Sequence, residues 1–382
     1  MRTLCKRERC TGCTACVSVC PKNCITMESD ADGFSYPVVD EAVCVNCGLC
    51  EKACPVLAVQ AYEHTPKAYA ARSSDTAMRL QSSSGGVFTE LARHVLANAG
   101  AVFGAAYDER FRVVHICAEN ENGLARLRGA KYAQSDLTGI FREVRNRLTR
   151  GQQVLFSGTP CQVAGLLCYL GKTYEKLITM DFVCHSVPSP MVWAEYIKSL
   201  GDVAEVNLRS KDTGWSGYGY CHKIVDQKGE IRRIHNFDSL YMKLFVGDYI
   251  NRLSCAQCPF KGYARGSDLT IGDFWGIWDI APDMDDNQGT SVVLVQSERG
   301  QRIWDAITPM LDIREVTLEE ASRQNAAMLK PAPAAQNRDA VLERIRSGDL
   351  DGCREYFPVY KPTRLQRVRI RLAAILRRLL HR

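Results

Sequence analysis

The sequence has no long apolar segment. It contains no run of about 18 apolar residues, and its first residues lack the apolar stretch of about 7 to 15 residues that a secretory signal requires. The segment 157–162 is not the G-x-G-x-x-G dinucleotide fingerprint, and residues 165–173 are not a P-loop, because five residues separate the two glycines. These absences predict a cytoplasmic protein without a membrane span, and they give no support to nucleotide hydrolysis.

Acidic residues are absent from the end of the chain. From Phe357 to Arg382 there are eight Lys or Arg residues and no Asp or Glu, so the net charge of +6 leaves the preceding residues at −2. Apolar and basic residues recur there at helical spacing, which predicts a basic amphipathic helix from residue 362. Such a helix either docks on a protein surface or makes a peripheral contact with an anionic bilayer at the inner face of the membrane. Nucleic-acid binding is not expected, because no recognition fold accompanies the basic residues.

Cysteine, by contrast, is abundant. The chain has 18 cysteines, of which ten lie in the first 54 residues. A chain of 382 residues can bury a core without disulfide bonds, and cytoplasmic thiols remain reduced. The local excess therefore indicates metal binding rather than a disulfide framework.

Two copies of one cysteine motif account for eight of these ten. Residues 10–21 read C-x2-C-x2-C-x3-C-P, and residues 44–55 repeat the pattern 34 residues later. In this pattern three thiolates on a tight loop bind one iron–sulfur cube and the fourth binds the other cube. The segment resembles bacterial two-cluster ferredoxins. The resemblance implies two [4Fe-4S] clusters, one held by Cys10, Cys13, Cys16 and Cys54, and the other by Cys20, Cys44, Cys47 and Cys50.

Zinc is the alternative metal for these cysteines. C-x2-C pairs also hold zinc, but zinc sites seldom use four cysteines in such a run. Cys5 and Cys24 fall outside the pattern, and we expect them to be ordinary thiols.

Beyond the cysteine motifs, helix and strand patterns alternate. Segments of helical periodicity at 87–99, 137–149, 163–170 and 190–200 follow strand-like runs, which predicts a partly parallel sheet with covering helices. Beyond Gly201 the pattern becomes rich in β-hairpins.

Four stretches in this part are dense in glycine, hydroxyl residues and cysteine. They are residues 82–86, 129–135, 157–162, and 255–259 together with 265–275. In this order they resemble the family of coenzyme F-420 hydrogenase/dehydrogenase beta subunits over roughly residues 67–300. The resemblance implies an iron–sulfur flavoprotein with FAD in an α/β core and a hydride-type partner whose identity varies across the family.

The fold class that we predict combines α+β and α/β elements. A small two-cluster ferredoxin domain precedes an α/β flavin-binding core with a β-rich C-terminal part and a basic amphipathic C-terminal helix. The predicted boundaries are 1–60 for the ferredoxin domain, 61–76 for a linker, 77–200 for the FAD-binding part, 201–330 for the β-rich part with its Cys-x-x-Cys, and 331–382 for a helical tail.

The candidate cofactor-binding residues lie where strands lead into helices. Residues 83–86 precede a helical pattern, and hydroxyls and free amides at a helix N-terminus suit a pyrophosphate. An ordinary helix cap without a ligand is the alternative. The segment 157–162 also lies between a strand and a helix, where α/β proteins bind ligands. The FAD-binding residues that the resemblance implies are Ser83, Ser84, Gly85, Gly86, Lys131, Tyr132, Gln134, Ser135, Gly158, Thr159, Pro160 and Gln162.

Lys131 and His185 are the candidate catalytic residues. A cation at Lys131 would stabilise the negative charge that develops on the pyrimidine edge of a reduced flavin, and a solvated lysine is the alternative. His185 follows Cys184 and could donate a proton near the cofactors, and a structural hydrogen bond is the alternative.

A third cluster is predicted from a second group of cysteines. Cys255 and Cys258 repeat the C-x2-C spacing before a proline but lack a second pair. Cys161 and Cys184 lie at expected strand ends and complete a set of four, so we expect a third [4Fe-4S] cluster beside the flavin. The alternative is a buried turn with two unconnected core thiols. The other cysteines are expected to be packing residues: Cys117, Cys168, Cys221 and Cys353.

Two hypotheses for function follow. The first is an iron–sulfur flavin oxidoreductase that takes electrons from a ferredoxin-like donor and exchanges hydride with a small organic acceptor such as a deazaflavin. The second is an electron-relay subunit that serves a redox partner subunit and does no substrate chemistry of its own. The fused ferredoxin module favours the first, because the chain then carries its own relay.

Replacing Lys131 tests its predicted role. The Lys131→Met variant should lower the midpoint potential of the bound flavin, because it removes a cation from the edge where negative charge develops. An anaerobic redox titration measures this potential. An unchanged potential in a folded, FAD-loaded variant would contradict the assignment.

Overall fold

The computed structural model describes residues 4–215 and 219–357, and the helix predicted from residue 362 lies outside them. The strands are β1 (Ile25–Ser29), β2 (Ser35–Val39), β3 (Lys67–Ser73), β4 (Ala101–Tyr107), β5 (Val113–Ala118), β6 (Val154–Gly158), β7 (Leu177–Phe182), β8 (Val203–Ser210), β9 (Cys221–Asp226), β10 (Ile231–His235), β11 (Leu269–Asp273), β12 (Ser291–Val295) and β13 (Leu311–Val316). The α-helices are α1 (Ala15–Val19), α2 (Leu49–Lys52), α3 (Thr76–Gln81), α4 (Val87–Ala97), α5 (Glu121–Leu127), α6 (Ile140–Thr149), α7 (Pro160–Leu170), α8 (Pro190–Ser199), α9 (Leu240–Val246), α10 (Ile277–Ile280), α11 (Glu298–Ile307), α12 (Leu318–Ser322) and α13 (Arg338–Arg346). No helix within the described residues has the length and apolarity that crossing a membrane requires.

The ferredoxin module (residues 4–58) consists of two cysteine loops, two short helices and one hairpin. β1 and β2 pair antiparallel, and the carboxylate of Asp30 accepts hydrogen bonds from two backbone N–H groups in the turn that joins them. The helices α1 and α2 begin after residues in the left-handed region, Thr14 with φ 64° and Gly48 with φ 77°. These sharp turns let the cysteines of each loop line a common cavity.

An eight-stranded mixed sheet organises the rest of the chain. Its order is β13-β3-β12-β11-β7-β6-β4-β5. Neighbouring pairs among β4, β6, β7 and β11 are parallel, and the flanking pairs are antiparallel. The predicted partly parallel sheet with covering helices is therefore confirmed. Because the carboxyl ends of parallel strands meet at one edge, the segments after β6, β7 and β11 lie next to one another.

Helices cover both faces of this sheet. Leu91 of α4 and Trp304 of α11 are buried against one face, and Phe141 of α6 and Leu166 of α7 are buried against the other. Ala15 of the ferredoxin module belongs to the second of these cores. The module is thus packed against α6 and α7.

The β-rich C-terminal part contributes a second sheet and returns strands to the first. β8, β9 and β10 form an antiparallel sheet whose buried side chains pack with those of α8, α9 and α13. β11, β12 and β13 then join the eight-stranded sheet, where β3 lies between β12 and β13. The sheet therefore takes strands from the predicted linker 61–76 and from both parts that follow it. The predicted domain boundaries remain predictions.

A buried histidine in this sheet makes stability depend on pH. His115 on β5 stacks on Phe156, its Nε2 is 3.0 Å from the carbonyl oxygen of Ser157, and burial lowers its pKa to about 4. The unfolded chain takes up a proton near pH 6.5, so the stability that the neutral ring contributes is lost as pH falls from 6.5 to 4, by up to about 3 kcal/mol. His115→Gln should lose less stability than the wild type between pH 7.5 and pH 5. Anaerobic thermal unfolding at both pH values measures this, and equal losses would contradict the prediction.

Candidate metal centre and cofactor site

The first cavity of the ferredoxin module is lined by three cysteines of the first motif and the last cysteine of the second. These are Cys10, Cys13, Cys16 and Cys54. Burial raises the pKa of the Cys13 thiol to about 12, and a hydrogen bond from the Ala15 backbone N–H opposes this rise. Burial also raises the pKa of Cys16, and the backbone N–H of Val17 donates to it. These amides can donate to thiolates bound to iron, the interaction that tunes the potential of such clusters.

A second cavity is lined by the complementary set. It contains Cys44, Cys47 and Cys50 together with Cys20. The fourth cysteine of each motif therefore lies with the first three of the other, which is the exchange that the two-cluster pattern implies. Cys47 is exposed, so this cavity reaches the surface of the protein.

Two cysteines that the sequence pattern left out line the same cavities. Cys5 lies at the first cavity with a hydrogen bond to Cys54, and Cys24 lies at the second, with its Sγ 3.4 Å from the Sγ of Cys20. The expectation that they are ordinary thiols stays a prediction. The signals in the sequence were their nearness to the motifs and, for Cys24, its distance of four residues from Cys20, which equals the distance from Cys16 to Cys20.

The thiols surround cavities rather than a single point. In the described part of the chain, no three His, Cys, Asp or Glu side chains converge closely enough to hold one metal ion. Thiols spread around a cavity fit a cube of four irons better than a zinc ion, whose ligands all lie about 2.3 Å from one atom. The donor sets of both cavities thus suit [4Fe-4S] clusters.

Two cysteines of the predicted third set emerge at the carboxyl edge of the eight-stranded sheet. Cys161 lies in the first turn of α7, directly after β6, and Cys184 follows β7 by two residues. β6 and β7 are parallel neighbours with Gly158 opposite Asp181, so both thiols leave the sheet at the same end.

Cys255 and Cys258 reach this edge on a turn that follows α9. The turn is held beside the segment after β7 by backbone hydrogen bonds, since the Arg252 N–H donates to the Val187 carbonyl and the Ser189 N–H to the Ile250 carbonyl. The structure therefore brings together four thiols whose residues span 97 positions from Cys161 to Cys258.

Burial disfavours the anionic form of the thiols in this third set, and nearby cations oppose that effect. Burial raises the pKa of Cys161, Cys184 and Cys255 to about 12, and the thiols of the set raise one another's pKa values further. The positive charge of Arg252 opposes the rise at Cys161 and Cys255, and that of Lys261 opposes it at Cys184. Thiols with such pKa values are neutral at pH 7 until a metal displaces their protons.

His185 makes the structural hydrogen bond that was the alternative to a role as a proton donor. Its Nε2 lies 2.9 Å from Oδ1 of Asp248, and its ring meets Phe245 edge-on at 5.3 Å. This bond orients the imidazole next to Cys184. The role of His185 as a proton donor stays a prediction.

One group of the predicted cofactor-binding residues lies beside the third thiol set. Thr159 and Gln162 form a reciprocal helix cap at the start of α7, and Gln162 Nε2 donates to Ser135 Oγ over 2.9 Å. Gln134 accepts a hydrogen bond from Arg252 over 2.8 Å. Gln134, Ser135 and residues 158–162 therefore lie near Cys161.

The second group, residues 83–86, lies in the turn between α3 and α4. Gly86 precedes α4 with φ 88°, and a Cβ atom on Gly85 would come within 2.3 Å of the Ala71 carbonyl oxygen. The Ser84 carbonyl accepts from Nζ of Lys211 over 2.6 Å. The glycines are thus required by close backbone packing, whatever the turn binds.

Arg209 joins the two groups. Its guanidinium pairs with Asp273 at 3.0 Å, lies 3.5 Å from the Ser83 carbonyl oxygen and is hydrogen-bonded to the side chain of Tyr132. It also lies over the rings of Tyr220 and Trp275, at 4.1 Å and 5.2 Å. The motif 209–215 was part of the family resemblance, but no pattern in the sequence marked Arg209 as the junction.

One polar atom of Arg209 has no hydrogen-bond partner in the part of the chain that the structure describes. Its side chain is 3% exposed, and its Nε has no hydrogen-bond acceptor among the described residues. A buried N–H of this kind is costly unless an acceptor is supplied. A phosphate or ring carbonyl of a bound cofactor would supply one, so the site fits a group such as FAD.

Lys131 points towards the end of a helix. Its Nζ donates to the carbonyl oxygens of Arg126 and Arg128 at the C-terminus of α5, over 2.9 Å and 2.5 Å. Burial, together with the charge of Arg126, lowers its pKa to about 7. The structure thus gives Lys131 a helix-capping contact, and its predicted role towards a flavin stays a prediction.

Two halves of one protein family match most of the chain. The family is described as the beta subunit of coenzyme F420 hydrogenase/dehydrogenase: residues 68–142 match its N-terminal part, and residues 151–321 match its C-terminal part. Residues 9–58 match the "4Fe-4S dicluster domain". Along the chain, the matches follow the same order as the ferredoxin module and the eight-stranded sheet.

Individual proteins are similar over different parts of the chain. A protein of Methanosarcina mazei, named as one of the subunits of F(420)H(2) dehydrogenase, is 22% identical over 370 residues, 92% of this chain and 93% of its own. A 7Fe ferredoxin of Hydrogenibacillus schlegelii is 36% identical over 73 residues, 18% of this chain and 87% of its own. A solved structure of the F420-reducing [NiFe] hydrogenase complex from Methanosarcina barkeri aligns with a TM-score of 0.48 and 15% identity, covering 74% of this chain and 93% of that chain.

Iron content tests the third thiol set. The anaerobically purified protein should hold about 12 Fe per chain, and Cys258→Ala should reduce this to about 8, because one set loses a ligand. Cys353→Ala is the control: Cys353 is buried in the separate core formed with α8, α9 and α13 and should leave the iron content unchanged. About 8 Fe in the wild type at full FAD occupancy would contradict the third cluster.

Proposed function

Because the chain belongs to the family of coenzyme F420 hydrogenase/dehydrogenase beta subunits, we propose that it is an iron–sulfur flavoprotein oxidoreductase. It would carry electrons between a ferredoxin-type donor, its [4Fe-4S] clusters and FAD, and exchange hydride with a small organic acceptor, with a deazaflavin as the first candidate. The family is one of oxidoreductase subunits, and the N-terminal 4Fe-4S domain makes this chain an iron–sulfur electron-transfer protein.

The convergence at the carboxyl edge of the sheet is the observation that carries this proposal. Cys161 of the third thiol set lies in the same helical turn as Thr159 and Gln162, and Gln162 reaches Ser135. Tyr132 of the same segment is bonded to Arg209, whose Nε lacks an acceptor within the described residues. The proposed third cluster and the proposed FAD site would therefore share one short stretch of backbone.

The three thiol sets lie in sequence from the surface inwards. Cys47 is exposed, so the second set reaches the surface, and Cys50 lines both the second cavity and the first. Cys13 of the first set is close enough to Cys161 of the third for their charges to interact. This order supports electron transfer between the surface and the interior along the chain's own residues.

Arg209 and Lys211 are the residues that would hold FAD. Bound FAD exchanges two electrons with a hydride carrier and single electrons with iron–sulfur clusters. Arg209 would supply its free N–H and positive charge to an anionic or carbonyl group of the cofactor, and the rings of Tyr220 and Trp275 exclude water around it. Burial lowers the pKa of Lys211 to about 7, so this lysine gains a full charge when an anion binds nearby.

His185 would deliver protons at the same edge. The Asp248 carboxylate holds the proton of the imidazole on Nε2, which leaves Nδ1 free to accept one. Its side chain is 34% exposed, so protons can be exchanged with solvent.

The redox partner would dock at the second cavity. Apolar side chains are exposed around it, including Val43, Val45 and Leu49 at 46%, 55% and 39%. Exposed apolar groups around a surface cavity are typical of a protein interface. A ferredoxin-like donor or a partner subunit placed there would contact Cys47 directly.

An electron-relay subunit without substrate chemistry is the second candidate. The relative in Methanosarcina mazei, which matches over most of both chains, is named as a subunit, and this favours a chain that works within a complex. In that case the surface around Val43 and Val45 would be covered by a permanent partner.

Catalysis by the single chain decides between the two. Reconstituted with iron, sulfide and FAD, the chain should reduce a deazaflavin or another hydride acceptor from a reduced ferredoxin without a second polypeptide. Arg209→Met should retain FAD at least about 10-fold more weakly, because a hydrogen-bonded charge to the cofactor is lost. Ultrafiltration with absorbance of the retained FAD measures this affinity.

Arg233→Met is the matched control. Arg233 also pairs with an aspartate, Asp212, but its side chain is 44% exposed. Its loss should therefore leave FAD retention unchanged. If wild-type protein with full cofactors turns over no acceptor until a second polypeptide is added, the relay function is correct and the enzyme proposal is not.

A further inference from the structure

Arg252 is a buried cation at the boundary between the ferredoxin module and the sheet. Its side chain donates through Nε to the Cys10 carbonyl over 2.7 Å, through Nη2 to the Ser35 carbonyl over 3.0 Å, and through Nη1 to Gln134 over 2.8 Å. Two of these acceptors belong to the module and one to the body. The residue itself is 2% exposed.

Within the described residues, no carboxylate forms an ion pair with this guanidinium. Among residues 4–215 and 219–357, Arg252 forms no ion pair with Asp or Glu, and its guanidinium instead lies 4.2 Å from the ring centroid of Tyr36. A buried guanidinium is costly unless an opposite charge is near. The anionic groups whose charge it meets would be the thiolates of Cys161 and Cys255 in the third set, once they bind metal, and its bond to the Cys10 carbonyl places it against the first loop.

Close packing near Arg252 also fixes the position of the ferredoxin module against the body. A Cβ atom on Gly12 would lie 2.4 Å from Gln134 Nε2 and 3.1 Å from Arg252 Nη1. A Cβ atom on Gly165 would lie 2.8 Å from the Sγ of Cys13. Because Cys161 lies one turn before Gly165 on α7, the first and third thiol sets approach each other across this contact.

We propose that Arg252 is a positioning residue that holds the first thiol set against the third and keeps one positive charge between them. The docking part depends on this chain's own contacts, and the part that concerns the third set depends on the proposed function. Hydrogen bonds from one planar side chain to three acceptors define the orientation of the module more tightly than a single bond could. A permanent charge between two clusters also raises the midpoint potential of both, because reduction adds negative charge next to it.

Two variants separate the charge from the geometry. Arg252→Met removes both, and Arg252→Lys keeps the charge but cannot reach three acceptors at once. Anaerobic redox titration followed by EPR spectroscopy gives the potentials. In the spectrum of the fully reduced protein, the broadening that reports on Arg252 is the part that Cys258→Ala abolishes, because the two clusters of the ferredoxin module also broaden each other's signals. The Met variant should shift the potential of the first cluster to more negative values and lose the broadening. The Lys variant should show weaker broadening than the wild type, and its potential should shift less than that of the Met variant.

Arg142→Met is the matched control. Arg142 on α6 also joins the body to the module, with bonds to the Ser18 carbonyl over 3.0 Å and to Asn23 over 2.7 Å. Its replacement removes a comparable docking contact without removing the charge between the first and third thiol sets. This variant should leave the potentials of the first and third clusters unchanged, and any shift should be confined to the second cluster, because Arg142 also lies 3.5 Å from the Cys20 carbonyl oxygen.

Three results would overturn the proposal. One is a wild type without broadening in the reduced spectrum, and another is an Arg252→Met protein with full iron whose spectrum and potentials equal those of Arg142→Met. If Arg252→Met fails to fold, the Gln134→Leu variant removes one acceptor and keeps the charge. Reduced broadening at unchanged potentials in this variant supports the proposal. Unchanged broadening in this variant is the third result that would overturn it. A wild type with about 8 Fe per chain would remove the third cluster from the proposed function, while the potential of the first cluster would still test Arg252.

Discussion

Parallel pairing of β7 with β6 on one side and β11 on the other places three strand ends at one edge of the sheet, and the candidate sites are built on those ends. Cys161 follows β6, Cys184 follows β7, and Asp273 closes β11 with its ion pair to Arg209. A parallel sheet buried between helices can hold this arrangement because its hydrogen bonds are unaffected by what the strand ends bind. If the register between β6 and β7 moved by one residue, the thiols would leave on different sides of the sheet.

Cations that donate hydrogen bonds to backbone carbonyls surround the candidate sites at this edge of the sheet. Lys261 donates to the carbonyl oxygens of Cys184 and Ala327, Lys211 to those of Arg79 and Ser84, and Arg252 to those of Cys10 and Ser35. Carbonyl groups satisfy the N–H donors without cancelling the positive charge. The result is an interior with positive charge available to anionic groups, which is what iron-bound thiolates and a phosphate-bearing cofactor both require.

The helix α7 links the two parts of the protein. Its first turn carries Cys161 beside the predicted cofactor-binding residues, and Gly165 one turn later accepts the close approach of Cys13. The ferredoxin module is therefore not an appendage on a flexible tether, because Ala15 shares a hydrophobic core with Phe141 and Leu166. Fusing the relay to the body in this way fixes the separation of the thiol sets, which in a two-protein system would depend on each encounter.

The amino-acid sequence by itself determined the features that depend on local spacing. Three cysteines per motif lie on one tight loop, so their shared cavity follows from C-x2-C-x2-C alone, and the helix over 190–199 follows from its periodicity after Ser189 and Pro190. Tertiary structure alone decided the placement of Arg209 and Arg252 as junctions, and of Lys131 at the end of α5. It also brought Cys255 to Cys161. These contacts join residues far apart in the chain through sheet order and buried hydrogen bonds, and no periodic pattern records which distant strands will pair.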